Sequence, residues 1–370
     1  MKLARTKKNV LLLTGIPVLL FGITACLSNT FDGPEKLGGV WVSASKLNQG
    51  HDTYMNYCMQ CHGVNGDGRG PASPGMNPPP RNFKQGIVKF QSTNLGELPT
   101  DKDLAHTIRY GLRGTHMLPW DISDERLDAV VQYIKTFSPV WKKGLPGTPV
   151  ETSPDPFGPA KSKEAVALGR KVYHGMAQCY TCHPSYATLS EIKDYSQEMT
   201  GNATESIREN PHLSVLQDSS YGHKFMPPDF TKNYIKSGDR ISNIYERLGV
   251  GVNGTTMPSW KGGLSGTGDA NESELRQWAL AYYVRALVDL KYKPETRKKF
   301  FEELGAARSG NGPSPQLEGM VVDEQPNAEP DQRPLTASSS GRTGFIYIGT
   351  LVLALILGTI VQTKGWRKRE

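Results

Sequence analysis

Long apolar runs are scarce in these 370 residues, and that scarcity excludes a polytopic membrane protein. No heptad pattern is sustained, so a long coiled coil is excluded as well. Cysteine is rarer still, with five residues in the whole chain, four of them in two close pairs. A surplus of one charge sign is also missing from most of the sequence. The formal charge is +7, but Lys2, Arg5, Lys7 and Lys8 supply four of these charges within residues 1–25. Lys364, Arg367, Lys368 and Arg369, set against Glu370, supply the other three. Everything between is neutral, which argues against a nucleic-acid partner and makes the basic ends read as membrane topology. Glycine and proline, by contrast, are plentiful at 39 and 26 residues, beside 37% hydrophobic residues. The length fits two domains, and the composition fits small, loop-rich cores.

Both ends read as addressing segments. Residues 1–25 pair a basic start with an apolar stretch from Val10, the pattern of an export signal. Ile23-Thr24-Ala25-Cys26 resembles the bacterial lipobox, which makes Cys26 the expected lipidation site. Phe345 to Val361 is uncharged, so residues 343–363 are expected to form a transmembrane helix, with 364–370 as a cytoplasmic basic tail. Residues 307–342 are rich in Gly, Pro, Ser and acid and are expected to be a disordered tether. Residues 141–159 form a Pro-rich linker. The expected location is the bacterial inner membrane, with the globular part facing the periplasm.

The four paired cysteines lie in Cys58-Met59-Gln60-Cys61-His62 and Cys179-Tyr180-Thr181-Cys182-His183. Each is C-x-x-C-H, the attachment site of c-type haem. The spacing is chemical: two thiols add to two vinyl groups, and the next residue sets an imidazole beneath the iron. A shared zinc site would need neither histidine, and 117 residues lie between Cys61 and Cys179. Redox dithiols use C-x-x-C without the following histidine.

The two motifs belong to an internal repeat. Gly50 and Tyr54 precede the first pair as Gly169 and Tyr173 precede the second. Pro79-Pro80-Arg81-Asn82-Phe83 is echoed by Pro227-Pro228-Asp229-Phe230. Gly114-Thr115-His116-Met117-Leu118-Pro119-Trp120 is matched by Gly254-Thr255-Thr256-Met257-Pro258-Ser259-Trp260. A closing helix follows each, with apolar faces through Leu127, Val130, Val131, Ile134 and Phe137 in one and Leu275, Trp278, Val284 and Leu287 in the other.

On these landmarks residues 44–140 and 160–292 resemble tandem class I c-type cytochrome domains, of the kind found in subunits of bacterial respiratory complexes. The resemblance implies an all-α fold, two covalently bound c-type haems and an electron carrier rather than an enzyme. It implies Cys58, Cys61, Cys179 and Cys182 as attachment residues. His62 with Met117, and His183 with Met257, are the implied iron ligands. Met199, His212, His223 and Met226, in an insertion running from Pro184 to Met226, are rivals to Met257. His51, His106 and His174 read as solvent-facing. Arg81, Arg109 and Arg247 are candidates to pair with haem propionates. The expected donor is a quinol-oxidising membrane complex or a periplasmic dehydrogenase, and the expected acceptor a soluble cytochrome or terminal oxidase. The alternative is a dihaem peroxidase or sulfur-compound oxidoreductase with one open haem.

Overall fold

A computed structural model describes residues 30–317. Two helical units follow one another, each around its own apolar cluster. The first opens with a hairpin, β1 (Glu35–Leu37) and β2 (Val40–Val42), paired antiparallel with Leu37 opposite Val40. Ser43 then starts α1 (Ala44–Tyr57) by accepting a hydrogen bond from Lys46 N. α2 (Met59–His62) is the first cysteine motif itself. α3 (Asp101–Tyr110) starts from a reciprocal capping box between Thr100 and Asp103. α4 (Asp124–Lys135) is the closing helix, and α5 (Val140–Lys143) is a single turn.

The second unit repeats this order with additions. α6 (Ser162–Lys171) runs into a π turn, Val172–Met176, before the second motif. Two extra residues separate Tyr173 from Cys179, relative to Tyr54 and Cys58, and the wider turn absorbs part of that excess. α7 (Leu189–Thr200) lies in the insertion, with a second capping box between Thr188 and Glu191. α8 (Ile241–Val250), α9 (Ala270–Tyr292) and α10 (Pro294–Arg308) complete the unit.

The repeat is physically clearest where α1 crosses α4 and α6 crosses α9. A Cβ on Gly50 would overlap the carbonyl oxygen of Ala129 and sit 2.7 Å from the Cβ of Tyr133. A Cβ on Gly169 would overlap the carbonyl oxygen of Ala279 and sit 2.7 Å from the Cβ of Tyr283. In both units the backbones meet at a distance that only glycine allows.

The chain between the units is fastened at both ends. Val150 N donates to Ser92 O at 2.7 Å on the first unit. Tyr282 Oη donates to Asp155 Oδ2 at 2.7 Å on the second, and Phe157 enters the second core.

Four expectations are corrected. The fold class was expected to be all-α and to end in a transmembrane helix. The described residues are mostly helical with one small hairpin, and no helix among them is long and apolar enough to cross a membrane. Even the longest, α9, carries Arg285 and Asp289 in its buried stretch. An inner-membrane location with a cytoplasmic C-terminus therefore finds no support. The signal segment 1–25, Cys26, the span 343–363 and the tail 364–370 lie outside the described residues. Secondly, the segment expected as a tether from residue 307 is packed as far as 317. Leu317 is buried, Arg170 donates to Pro315 O at 2.6 Å, and Arg308 donates to Ser185 O at 2.9 Å. Thirdly, His174 is fully buried: its Nδ1 pairs with Arg170 O at 2.9 Å, and its Nε2 accepts from Tyr186 N at 3.1 Å. His106 is exposed and His51 partly so. Fourthly, Leu275, expected on a buried face, is 38% exposed.

Gly50→Ala and Gly169→Ala should each destabilise their unit by about 1–3 kcal/mol through overpacking. Denaturant melts followed by circular dichroism will show this, and a change of a few tenths would reject the close crossing. Burial by itself would raise the Glu191 carboxyl, but Arg170, the Ser314 hydroxyl and Thr188 outweigh it and hold the group below 4.5. The stabilisation is present above the unfolded carboxyl value and is lost as pH falls through the lower folded one. Stability of Glu191→Gln measured from pH 6 down to pH 3 should accordingly fall less steeply than that of the parent.

Candidate functional site

Each motif histidine is held in the same way. His62 Nδ1 lies 3.0 Å from Arg81 O, and His183 Nδ1 lies 3.0 Å from Pro228 O. Phe83 stacks on the His62 ring with centroids 4.5 Å apart, and Phe230 stacks on His183 at 4.8 Å. The tyrosine four residues beyond each crossing glycine fixes the chain just past the motif. Tyr54 Oη donates to Gly63 O at 2.7 Å, and Tyr173 Oη donates to Pro184 O at 2.9 Å. Burial lowers the pKa of both imidazoles, against the pull of their carbonyl partners. A ring whose Nδ1 donates to a carbonyl keeps Nε2 as its acceptor atom.

The methionine loops match as closely. Leu112 N donates to Met117 O at 2.8 Å, and Val252 N donates to Met257 O at 3.2 Å. Met117 N donates to Thr115 Oγ1 at 3.1 Å, and Met257 N to Thr255 Oγ1 at 3.2 Å. The loops are then tied down where Trp120 N donates to Ile108 O and Trp260 N to Leu248 O, at 3.1 and 2.8 Å. The Gly-Thr pair thus acts mechanically, since the threonine hydroxyl turns the chain back so that the methionine faces inward.

In the second unit the named residues converge on one cavity of about 1130 Å³, lined by Cys179, Cys182, His183, Met257 and Trp260. His223 and Met226 line it too, whereas Met199 packs in the core and His212 is exposed. In the first unit Cys58, Phe83, Met117 and Trp120 pack against one apolar cluster. Neither cysteine pair is bridged. Burial, with Cys61 second, pushes the Cys58 thiol up to about 12, and burial pushes Cys179 up to about 12.

The two motifs differ in what encloses them. In the first, glycine-rich backbone does so: Gly68 N donates to His62 O at 2.8 Å and Gly70 N to Cys61 O at 3.1 Å. In the second, the insertion takes over. Arg208 donates to Tyr180 O at 2.7 Å, His183 O at 3.2 Å and Pro211 O at 3.0 Å, and Val215 N donates to Cys182 O at 2.9 Å. Arg208 has no counterpart in the first repeat, so the comparison of halves passes over it. Of the three arginines expected near propionates, Arg109 pairs instead with Asp124 and Ile122 O. Arg81 lays its guanidinium over Tyr221 of the second unit, 3.6 Å from the ring centroid. Arg247 lines the second cavity.

Residues 45–134 match the family described as cytochrome c oxidase, cbb3-type, subunit III. A chain of the Kuenenia stuttgartiensis reducing HAO-like protein complex is 32% identical with a TM-score of 0.52, over 65% of this chain and 96% of that one. The chain belongs to the c-type cytochromes. No curated protein matches it. As a c-type cytochrome it carries covalently bound haem iron and serves electron transfer. The site fits that group, because one cavity gathers two thiols, an imidazole with its second nitrogen committed to a carbonyl, and a thioether.

Arg208→Met should leave the fold intact but loosen the insertion, at a cost of about 1–3 kcal/mol for carbonyls left unpaired. Limited proteolysis should then cut within residues 201–226 at least about tenfold faster than in the parent. An unchanged cutting rate would show that Arg208 does not hold this segment.

Proposed function

We propose that this cytochrome holds two covalently bound haems, one per repeat, and relays electrons between redox partner proteins. The observation that carries the proposal is the one-to-one match of two sets of residues. Each has a C-x-x-C-H turn, a histidine with Nδ1 on a carbonyl, a stacked phenylalanine and a threonine-braced methionine loop. In this reading Cys58 and Cys61 attach the first haem, and His62 and Met117 ligate its iron. Cys179, Cys182, His183 and Met257 do the same for the second. When bound, such a group supplies one-electron chemistry at iron, and thioether ligation with burial favours its reduced form.

The protein's part is positioning and exclusion. The Arg81 and Pro228 carbonyls fix the tautomer and plane of each imidazole. Phe83 and Phe230 prevent the rings from turning. With Met117 and Met257 as well as the histidines holding the iron, no position would be left for a reactant, which favours carrier over catalyst. The Kuenenia chain comes from a complex, and by that analogy the present chain acts as a subunit that exchanges electrons with a neighbouring redox protein.

Haem content measured as a pyridine haemochrome should give two haems per chain. Met117→Ala and Met257→Ala should each lower the potential of one haem or turn it high-spin, with covalent content intact. Cys61→Ser and Cys182→Ser should instead bring the covalent content down towards one per chain. Ready binding of carbon monoxide to the untreated ferrous protein would favour the enzyme reading, with one open iron.

A further inference from the structure

The second cavity is walled in part by the first unit. Asn77, Pro78, Lys89, Phe90, Arg113 and Gly114 all line it. This contribution is fastened to the methionine loop of the second unit. Asn253 N donates to Lys89 O at 3.2 Å, and its side-chain amide donates to Gln91 Oε1 at 3.1 Å. Arg247 donates to Gln91 O at 3.0 Å. Asn253 immediately precedes Gly254-Thr255-Thr256-Met257, so the segment carrying Lys89 is held against the loop that carries Met257.

The charges on the lining are one-sided. Lys89, Arg113, Lys224, Lys232, Lys236 and Arg247 line the cavity, and no carboxylate does. Four of the six are answered from outside it. Arg113 pairs with Asp239 at 2.7 Å, Lys224 with Asp218 at 3.4 Å, Lys232 with Asp229 at 3.2 Å, and Arg247 with Glu246 at 3.4 Å. Lys89 and Lys236 have no carboxylate partner among the described residues. Both are partly buried. Burial, then Lys236, then Arg81 push the Lys89 ammonium down to about 8, and burial lowers Lys236 as well. Two partly buried ammonium groups on the wall of one cavity, neither facing a carboxylate, make that wall a fit for an anion.

We propose that Lys89 of the first unit and Lys236 of the second clamp the two propionates of the haem in the second cavity, so that this site is complete only with the first unit docked. The proposal rests on the two-haem reading. A c-type haem brings two carboxylates, which matches in number and sign the two cations that lack a carboxylate partner, of which Lys89 lies over the Phe225 ring at 5.2 Å. Cationic side chains at that edge favour the reduced iron, so the clamp raises the potential of the second haem and leaves the first alone.

The test uses the full chain with its haems counted before any titration. Lys89→Gln and Lys236→Gln should each lower the midpoint potential of one haem. The double variant should lower it further, while the other haem stays at its parent value. Lys89→Arg, which keeps the charge, should restore the parent potential. The potential of the parent should not depend on added phosphate at constant ionic strength. Unchanged potentials in a double variant that carries both haems would overturn the clamp. So would a parent potential that follows phosphate and stops doing so in the double variant, because the lysines would then serve a free anion. A count of one haem per chain would instead refute the two-haem reading itself.

Discussion

Two helices in each unit approach so closely that a carbonyl oxygen occupies the place where a side chain would begin. Ala129 O does this at Gly50, and Ala279 O does it at Gly169. The rest of each site follows from that contact. It fixes the helix entering the motif against the helix that closes the unit, and it brings Tyr54 and Tyr173 one turn further along into the crossing. Their hydroxyls reach the carbonyls just beyond the histidines, which sets where the chain leaves the motif. Close packing makes the arrangement stiff, since backbone against backbone has no rotamer through which to relax.

Stiffness at the crossing is matched by a shared device at the histidine. A backbone carbonyl, rather than a side chain, receives Nδ1 in both units. A carbonyl fixed in a proline-flanked loop has one orientation, so the ring inherits one plane and one free nitrogen. The two repeats use different residues to supply that oxygen, Arg81 and Pro228, because only the backbone position matters. Enclosure of the motif follows the same logic. The Gly68 amide in the first unit and the Arg208 guanidinium in the second satisfy the equivalent carbonyls of His62 and His183 by unrelated means.

The units are not independent copies placed side by side. The Lys89–Gln91 segment bonds to Asn253 and Arg247, Arg81 stacks on Tyr221, and Arg113 pairs with the buried Asp239. A buried carboxylate answered by an arginine from the other unit ties their mutual placement to the interior of the second. The cavity of the second unit consequently has walls from both.

Much of this was legible in the residue order, because C-x-x-C-H, the crossing glycines and the Gly-Thr-x-Met loops are local patterns with local physical reasons. The repeat doubled each signal, and the family match over residues 45–134 falls on the first copy. What the order could not show is where non-repeated residues go. His174 reads as a surface histidine until the π turn rolls it into the core between Arg170 O and Tyr186 N. Residues 309–317 read as tether until Arg170 and Glu191 are found holding them. Lys89 and Lys236 lie 147 positions apart and share no motif, so only folding brings them to one cavity. The sequence by itself determined the local pattern at each motif, since residue spacing and backbone geometry act over a few residues. Tertiary structure alone decided which charges meet across the units, because electrostatic partners are chosen by proximity in space, which no short-range pattern encodes.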